Sequence, residues 1–243
     1  MTWTLGSLGL SSASLASAML AAALAVQSPT AAPQEASMHR TFSEGLKRLG
    51  LLFSDIGSLA SGPEAGEIWK LDKRTGKRRR IGEAADLSWP APSPDGTAVY
   101  ALRGAQVIRI VVADGSETPV GSPAEWRKLL GVLPDGVIIG FVEEEPFPRP
   151  ALLSKDGERT DLPPPADDGE RRQVGVLLQE ARSYADGARL EVRNSERGGR
   201  GRDVFLVEGG SERNLSDCGD DLCGQPARAI DGETFYYVRG ARL

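Results

Sequence analysis

The chain has 243 residues, enough for one large domain or two small ones with a buried core of ordinary size. Its formal net charge of −5 and its pI near 5.2 argue against a nucleic-acid partner, because neutralising phosphate groups requires a basic face. The one histidine, His39, precedes every repeated pattern, which excludes Ser-His-Asp catalysis, Cys-His catalysis and His-ligated zinc from the folded part. We therefore expect a protein that is not an enzyme and that needs no cofactor.

The N-terminal 39 residues contain no Lys or Arg and are rich in Ala, Ser, Leu and Thr. An apolar run at 18–26 includes Ala23-Leu24-Ala25, which fits a small-x-small cleavage site. We interpret residues 1–25 as a leader resembling a signal peptide and 26–49 as a linker, although a signal peptide normally has a positive n-region. The alternative is an Ala/Ser-rich tail on a cytoplasmic protein. No segment has the length and apolarity of a membrane span, so none is expected in the mature chain.

A turn motif ending in Asp-Gly occurs four times in the predicted domain, residues 50–243, at Asp spacings of 40, 51 and 45 residues. Each copy precedes a run of β-branched, aromatic or other apolar residues, as expected of a hairpin turn followed by a strand. A second set of turn glycines alternates with the first, so each unit predicts four strands in ~40 to 45 residues, the size of one propeller blade. The turn positions are Asp95, Gly96, Asp135, Gly136, Asp186, Gly187, Asp231 and Gly232.

Two stretches are the best copies of this unit. The first runs from Pro90 to Gly96, with Val99-Tyr100 after the turn, and the second runs from Glu67 to Asp72 and ends at Gly76. The pattern resembles the repeat of the TolB C-terminal propeller and its relatives. The resemblance implies an all-β fold, a β-propeller, and the repeats themselves give about four four-stranded blades, fewer than this family usually has. It also implies partners that are proteins or components of the cell envelope.

The last copy of the unit, 225–243, supplies only the first two strands of a blade, whereas the first clear motif, 67–82, supplies only the last two. We expect the N-terminal hairpin to complete the C-terminal blade, because such pairing would remove open strand edges. The alternative takes Leu51 to Ser54 as an earlier strand of the first blade, which leaves the last blade incomplete. Residues 40–53 also fit a short amphipathic helix with apolar positions at Phe42, Leu46, Leu49 and Phe53.

The loop after the third unit holds both cysteines and three carboxylates. Cys218 and Cys223 are five residues apart, which fits a local disulfide in an oxidising compartment, and the alternative is two free thiols. Asp217, Asp220 and Asp221 offer oxygen ligands for calcium, without the spacing of an EF-hand. The alternative is a solvated acidic turn, and we assign no metal.

Aromatic, basic and acidic side chains elsewhere supply further candidates. Aromatic residues at blade loops can line a ligand groove, although packing between blades is the competing interpretation. The Arg-rich loop 197–202 and the Asp167-Asp168 pair are interpreted as solvated. The consecutive Glu143, Glu144 and Glu145 are a poor acid–base pair, because neighbours on a strand face opposite sides. The aromatic candidates are Trp69, Trp89 and Trp126.

Together these features predict a non-catalytic, exported β-propeller that binds a protein or ligand at the cell envelope, in the periplasm or outside the cell. The expected partner is an envelope or secreted protein. Two alternatives remain at this stage. One is a carboxylate-based glycoside hydrolase or lyase on a propeller scaffold, and the other is a degenerate propeller fragment without retained activity.

Overall fold

The computed structural model describes residues 44–52, 63–196 and 200–240. Within these residues the chain forms seventeen β-strands, one eleven-residue helix and a helical segment at 44–48. The predicted leader, the linker up to residue 43 and the side chains of Phe42 and Phe53 lie outside the described residues. Among the described residues, no helix has the length and apolarity that crossing a membrane requires.

Two four-stranded antiparallel sheets are each built from consecutive strands. We call them blade 1 and blade 2. Blade 1 consists of β4 (Leu87–Pro92), β5 (Ala98–Arg103), β6 (Gln106–Val111) and β7 (Glu117–Val120). Blade 2 consists of β8 (Trp126–Val132), β9 (Ile138–Val142), β10 (Arg149–Leu153) and β11 (Arg159–Asp161).

The remaining large sheet contains two further four-stranded units. They are joined by one parallel residue pair, Arg202 with Leu222. Blade 3 consists of β12 (Arg182–Tyr184), β13 (Arg189–Asn194), β14 (Arg202–Glu208) and β15 (Ser211–Asn214). Blade 4 consists of β16 (Leu222–Arg228), β17 (Thr234–Gly240), β2 (Glu67–Asp72) and β3 (Arg78–Ile81). The fold is therefore mostly β, with four-stranded antiparallel units of the kind that form propeller blades.

Blade 4 consists of two strands from the C-terminal part of the chain, β16 and β17, and two from its N-terminal part, β2 and β3. β17 and β2 pair antiparallel over six residues, from Thr234 opposite Asp72 to Arg239 opposite Glu67. The C-terminal hairpin thus shares one sheet with the N-terminal hairpin. The alternative assignment of Leu51 to Ser54 to the first blade is wrong, because β1 (Leu51–Leu52) pairs with β12 in blade 3.

Burial follows the position of each strand within its blade. All five residues of β9 are buried, because a central strand packs on both faces against neighbouring sheets. The outer strands β3 and β11 consist mainly of exposed, charged residues. One hydrophobic cluster joins blades 4 and 1, a second joins blades 1 and 2, and a third joins blades 2, 3 and 4. The apolar runs seen in the sequence are therefore the surfaces that hold neighbouring blades together.

Blades 2 and 3 are separated by two additional elements. One is the segment 44–52, whose Leu46 and Leu51 belong to the third cluster, and the other is helix α1 (Asp168–Leu178), which buries Val174 and Leu177 there. The segment lies very close to blade 2, since a Cβ added at Gly131 would lie 2.7 Å from the side chain of Leu49. This junction is filled by inserted side chains.

At the two junctions on either side of blade 1, glycines of neighbouring blades are in contact. Gly82 follows the outer strand of blade 4 and contacts Gly115 in the β6–β7 turn, where an added Cβ would lie 3.0 Å from the Cα of Gly82. Gly121 follows the outer strand of blade 1, and an added Cβ there would lie 2.5 Å from the carbonyl oxygen of Gly157 in the β10–β11 turn. Backbone therefore packs directly on backbone at both junctions, which leaves no room for a side chain.

We predict that Gly121→Ala destabilises the fold by about 1–3 kcal/mol more than Gly76→Ala, the usual range for overpacking. Both glycines have a positive φ, +66° at Gly121 and +70° at Gly76, but only Gly121 has a neighbour within 4 Å of the added Cβ among the described residues. The free-energy cost of placing alanine at a positive φ is therefore similar in the two variants. The difference between their unfolding free energies measures the contact between the new Cβ and Gly157. Urea unfolding of both variants tests the prediction, and equal losses would show that the junction tolerates a side chain.

Candidate functional site

The first strands of all four blades, β4, β8, β12 and β16, contribute to the walls of one cavity of about 300 Å³. The segment 47–51 closes part of its wall. The cavity is small but lies at the lower end of the range for ligand pockets. Its lining residues are Lys47, Arg48, Leu49, Gly50, Leu51, Trp89, Pro90, Pro92, Pro94, Leu129, Leu130, Gly131, Val132, Arg182, Tyr184, Ala185, Asp186, Gln225, Pro226, Ala227, Arg228, Ala229 and Ile230.

Two lining residues occupy equivalent positions and share an unusual backbone conformation. Trp89 in β4 and Gln225 in β16 have φ angles of 52° and 51°, and each interrupts the pairing register of its strand and precedes a proline. A left-handed conformation costs a non-glycine residue of order 1–3 kcal/mol and persists only where the surroundings enforce it. Both residues line the cavity at these irregularities.

Gln225 is buried and connects three parts of the fold. Its amide Nε2 donates to the carbonyl oxygens of Pro63 and Glu64 at 2.6 and 3.0 Å, just before β2. Its Oε1 accepts from the backbone N–H of Trp89 at 2.6 Å, and its own N–H donates to Glu180 at 3.0 Å. One side chain therefore links blades 4 and 1 at the cavity wall.

Two buried basic side chains flank the indole ring of Trp89. The Nζ of Lys128 lies 4.0 Å from the ring centroid, and the guanidinium of Arg182 lies 5.9 Å from it. Both donate to the carbonyl oxygen of Gln179, at 2.5 and 2.7 Å. Burial, followed by the charge of Arg182, lowers the pKa of Lys128 well below its ordinary value, although Glu180 acts in the opposite direction. Burial also lowers the pKa of Arg182.

The lining of the cavity is basic, although the chain as a whole is acidic. Four cationic residues, Lys47, Arg48, Arg182 and Arg228, face a single acidic lining residue, Asp186. Arg228 Nη1 donates to Asp186 at 2.6 Å, and the Arg228 guanidinium lies 5.2 Å from the ring centroid of Tyr184. The N–H of Ala188 and then Arg228 hold the pKa of Asp186 below its usual value, although desolvation opposes them. The cavity therefore combines apolar walls with excess positive charge.

Three of the Asp-Gly turns contribute residues to this cavity through Pro94, Asp186 and Ile230. Asp231 accepts hydrogen bonds from the N–H groups of Glu233 and Thr234, and the equivalent Asp95 accepts from Thr97. Ile230 is 61% exposed, which makes it one of the two large exposed apolar residues in the described part of the chain. The φ angles of Gly96, Gly136, Gly187 and Gly232 are 70°, 86°, 84° and 70°.

Cys218, in the loop that leads from blade 3 to blade 4, forms a disulfide with Cys223 in β16, and both residues are buried. Asp203 supports the loop by accepting from the N–H of Cys218 at 2.6 Å. The acidic candidates Asp217, Asp220 and Asp221 lie in or beside this loop. Asp221 binds Arg239 at 2.6 Å, and the described residues contain no group of three or more metal-ligating side chains placed to hold an ion.

The other sequence candidates lie away from the cavity. Trp69 donates to Glu67 at 3.0 Å on β2, and Trp126 is buried in the cluster between blades 1 and 2. Glu143 pairs with Arg127 at 2.8 Å, and Glu144 pairs with Arg149. Arg202 begins β14, and 197–199 lie outside the described residues.

The sequence places Asp167 and Asp168 in a solvated loop, whereas in the structure Asp167 is the N-cap of helix α1 and Asp168 is its first residue. The Asp167 side chain caps the helix by accepting from the N–H groups of Gly169 and Glu170. The signal that could have revealed the helix is Asp167 followed three residues later by Glu170, a capping pattern. Lys128, Arg182 and Gln225 were also missed, because a polar residue inside a strand gives no periodic signal.

We predict that the stability of the protein relative to a Lys128→Met variant rises as the pH increases from 7 towards 9.5. In this pH range the unfolded chain, in which Lys128 has its ordinary pKa, holds a proton that the buried amine of the folded state has released. Raising the pH therefore favours the folded state, by at most about 1.4 kcal/mol per pH unit. Chemical unfolding at several pH values measures this difference. Lys155→Met, at an exposed position, is the control. A pH-independent difference between wild type and Lys128→Met would contradict a lowered pKa.

Comparison with known proteins returned structural similarity only. No protein-family model and no curated protein matches the chain. A protein assigned as TolB from Agrobacterium tumefaciens is 19% identical with a TM-score of 0.37, and the alignment covers 70% of this chain and 60% of that one. TolB from Acinetobacter baumannii is 15% identical, with a TM-score of 0.34 and coverage of 72% and 48%. An oligogalacturonate lyase in complex with manganese is 18% identical, with a TM-score of 0.31 and coverage of 72% and 52%. The chain thus spans about half the length of these proteins, to which its similarity is distant.

Proposed function

We propose that this chain is a non-catalytic binding protein of the cell envelope that receives its partner at the cavity shared by the four blades. The observation that carries the proposal is the composition of the cavity wall, to which the first strand of every blade contributes. A site built on strands of a packed scaffold holds its side chains more rigidly than a site on loops. Such a site suits binding without a large conformational change.

The non-catalytic part of the proposal is supported by the state of the acidic side chains. Asp186, the one acidic lining residue, is bound by Arg228, and the Glu143 and Glu144 carboxylates are paired with arginines outside the cavity. A general acid needs a raised pKa, whereas the pKa of Asp186 is lowered. The only histidine of the sequence, His39, precedes the described residues.

Location in the envelope is supported by the disulfide. Cys218 and Cys223 are the only cysteines in the sequence, and they are joined to each other. Disulfides persist mainly in oxidising compartments such as the periplasm and the extracellular space. This bond holds the loop between blades 3 and 4 and so belongs to the scaffold itself.

The proposal predicts a difference between the two exposed apolar residues of the described chain, Ile230 and Phe147. Ile230 lines the cavity, whereas Phe147 lies in the β9–β10 loop and does not. A photo-reactive amino acid introduced at Ile230 should crosslink an envelope partner in intact cells, and the same probe at Phe147 should not. Mass spectrometry of adducts from separated envelope and cytoplasmic fractions identifies the partner.

A cavity-blocking variant makes this experiment specific. Ala185 is exposed and lines the cavity, so Ala185→Trp should abolish the Ile230 crosslink without unfolding the protein. Equal crosslinking at Ile230 and Phe147, or persistence of the adduct in Ala185→Trp, would refute binding at the cavity. A partner found only in the cytoplasmic fraction would refute the envelope location.

A further inference from the structure

We infer that the cavity recognises an oxyanion, a carboxylate or phosphate group, on a small apolar or aromatic moiety that the partner inserts into it. The inference rests on the proposed function in that it concerns the same cavity, and it adds the chemical class of what binds there. It follows from three properties of the lining, namely its charge, the support of its arginines and its volume.

The charge of the lining favours an anion. Lys47, Arg48, Arg182 and Arg228 all line the cavity, and within the described residues no carboxylate forms a salt bridge with Lys47 or Arg182. The Arg48–Asp135 distance of 3.8 Å is too long for a close ion pair with a direct hydrogen bond. Lys47 and Arg48 are exposed, whereas Arg182 is buried and its charge is only partly offset by that of Glu180. An anionic group in the cavity would therefore be attracted electrostatically by each of these cations.

The two inner arginines are held in fixed orientations. The Arg182 guanidinium lies over Trp89, and its Nη1 donates to backbone carbonyl oxygens at the end of α1. The Arg228 guanidinium lies over Tyr184 and is bound by Asp186. A planar guanidinium fixed in this way loses little side-chain entropy when it binds a carboxylate or phosphate. These contacts therefore prepare the arginines for an oxyanion.

The volume and the remaining walls define the rest of the ligand. A space of about 300 Å³ is too small to enclose a folded domain, so only a compact group of the partner can enter it. The walls between the cations are aromatic and proline rings. These residues favour a compact apolar or aromatic body attached to the anionic group. They are Trp89, Tyr184, Pro90, Pro92, Pro94 and Pro226.

The test is a calorimetric titration of the complete protein with benzoate, phenyl phosphate and benzamide at low ionic strength. Benzamide has nearly the shape of benzoate without its charge, so benzoate or phenyl phosphate should bind at least tenfold more tightly than benzamide. Tighter binding of phenyl phosphate identifies a phosphate site, and tighter binding of benzoate identifies a carboxylate site. Equal binding of all three probes, or no binding of any, would overturn the inference.

Variants with opposite expected effects separate recognition from misfolding. Arg228→Gln should weaken benzoate binding about tenfold, as expected for one charged hydrogen bond. Asp186→Asn should strengthen binding several-fold, because it removes the acidic lining residue while an Asn side chain can still accept the N–H of Ala188. Arg127→Gln, outside the cavity, should leave the affinity unchanged. Weakening by all three variants, or an unchanged affinity in Arg228→Gln, would contradict the inference.

The outcomes of this titration differ from those of the crosslinking experiment. If the probes show no preference for an anion while the Ile230 crosslink remains sensitive to Ala185→Trp, the oxyanion inference fails and the proposed function stands. If benzoate binds with the expected dependence on Arg228 and Ile230 captures no partner, the oxyanion site stands. In that case, the proposal that an envelope protein binds at the cavity fails.

Discussion

The pairing of β17 with β2 is the interaction on which the rest of the structure depends. It places residues 67–72 and 234–240 in one sheet, and so blade 4 has four strands although neither part of the chain supplies more than two. The side chain of Gln225 also donates hydrogen bonds to the carbonyl oxygens of Pro63 and Glu64, just before the β2–β3 hairpin. The cavity wall includes residues of β16, the first strand of this blade, so the geometry of the candidate site depends on the pairing.

The cavity and the residues around it combine features that lower stability with features suited to binding. Lys128 is fully buried, and Trp89 and Gln225 adopt a left-handed backbone conformation at equivalent positions of two blades. Each feature is unfavourable on its own, and strained or desolvated groups of this kind occur preferentially at functional sites. The surroundings compensate through the Trp89 ring and the carbonyl oxygen of Gln179. The cavity is basic although the protein as a whole is acidic, which is the charge arrangement on which the proposed binding function rests.

The sequence predicted the regular parts of this structure because turn chemistry is local. Asp-Gly turns and apolar runs indicated four-stranded blades, and the incomplete first and last copies indicated that the two ends share a sheet. Helix α1 was missed because it lies outside the repeat, and strand β1 was assigned to the wrong blade for the same reason. The residues around the cavity are set by tertiary packing, since a lysine in a strand, such as Lys128 beside the lining residue Leu129, normally faces solvent. Counting back six residues from the Asp of each turn aligns Trp89, Leu129, Glu180 and Gln225. This alignment would have drawn attention to Trp89, Leu129 and Gln225, which line the cavity.

Hydrogen exchange of the intact protein tests the central claim most directly. If blade 4 is a single unit formed from both parts of the chain, peptides covering 67–72 and 234–240 should exchange at the same slow rate and lose protection together in denaturant. Their protection should match that of the central strand β9. Rapid exchange of 67–72 while 234–240 stays protected would show that the N-terminal hairpin is not part of blade 4, and would contradict the account of the fold and of the cavity.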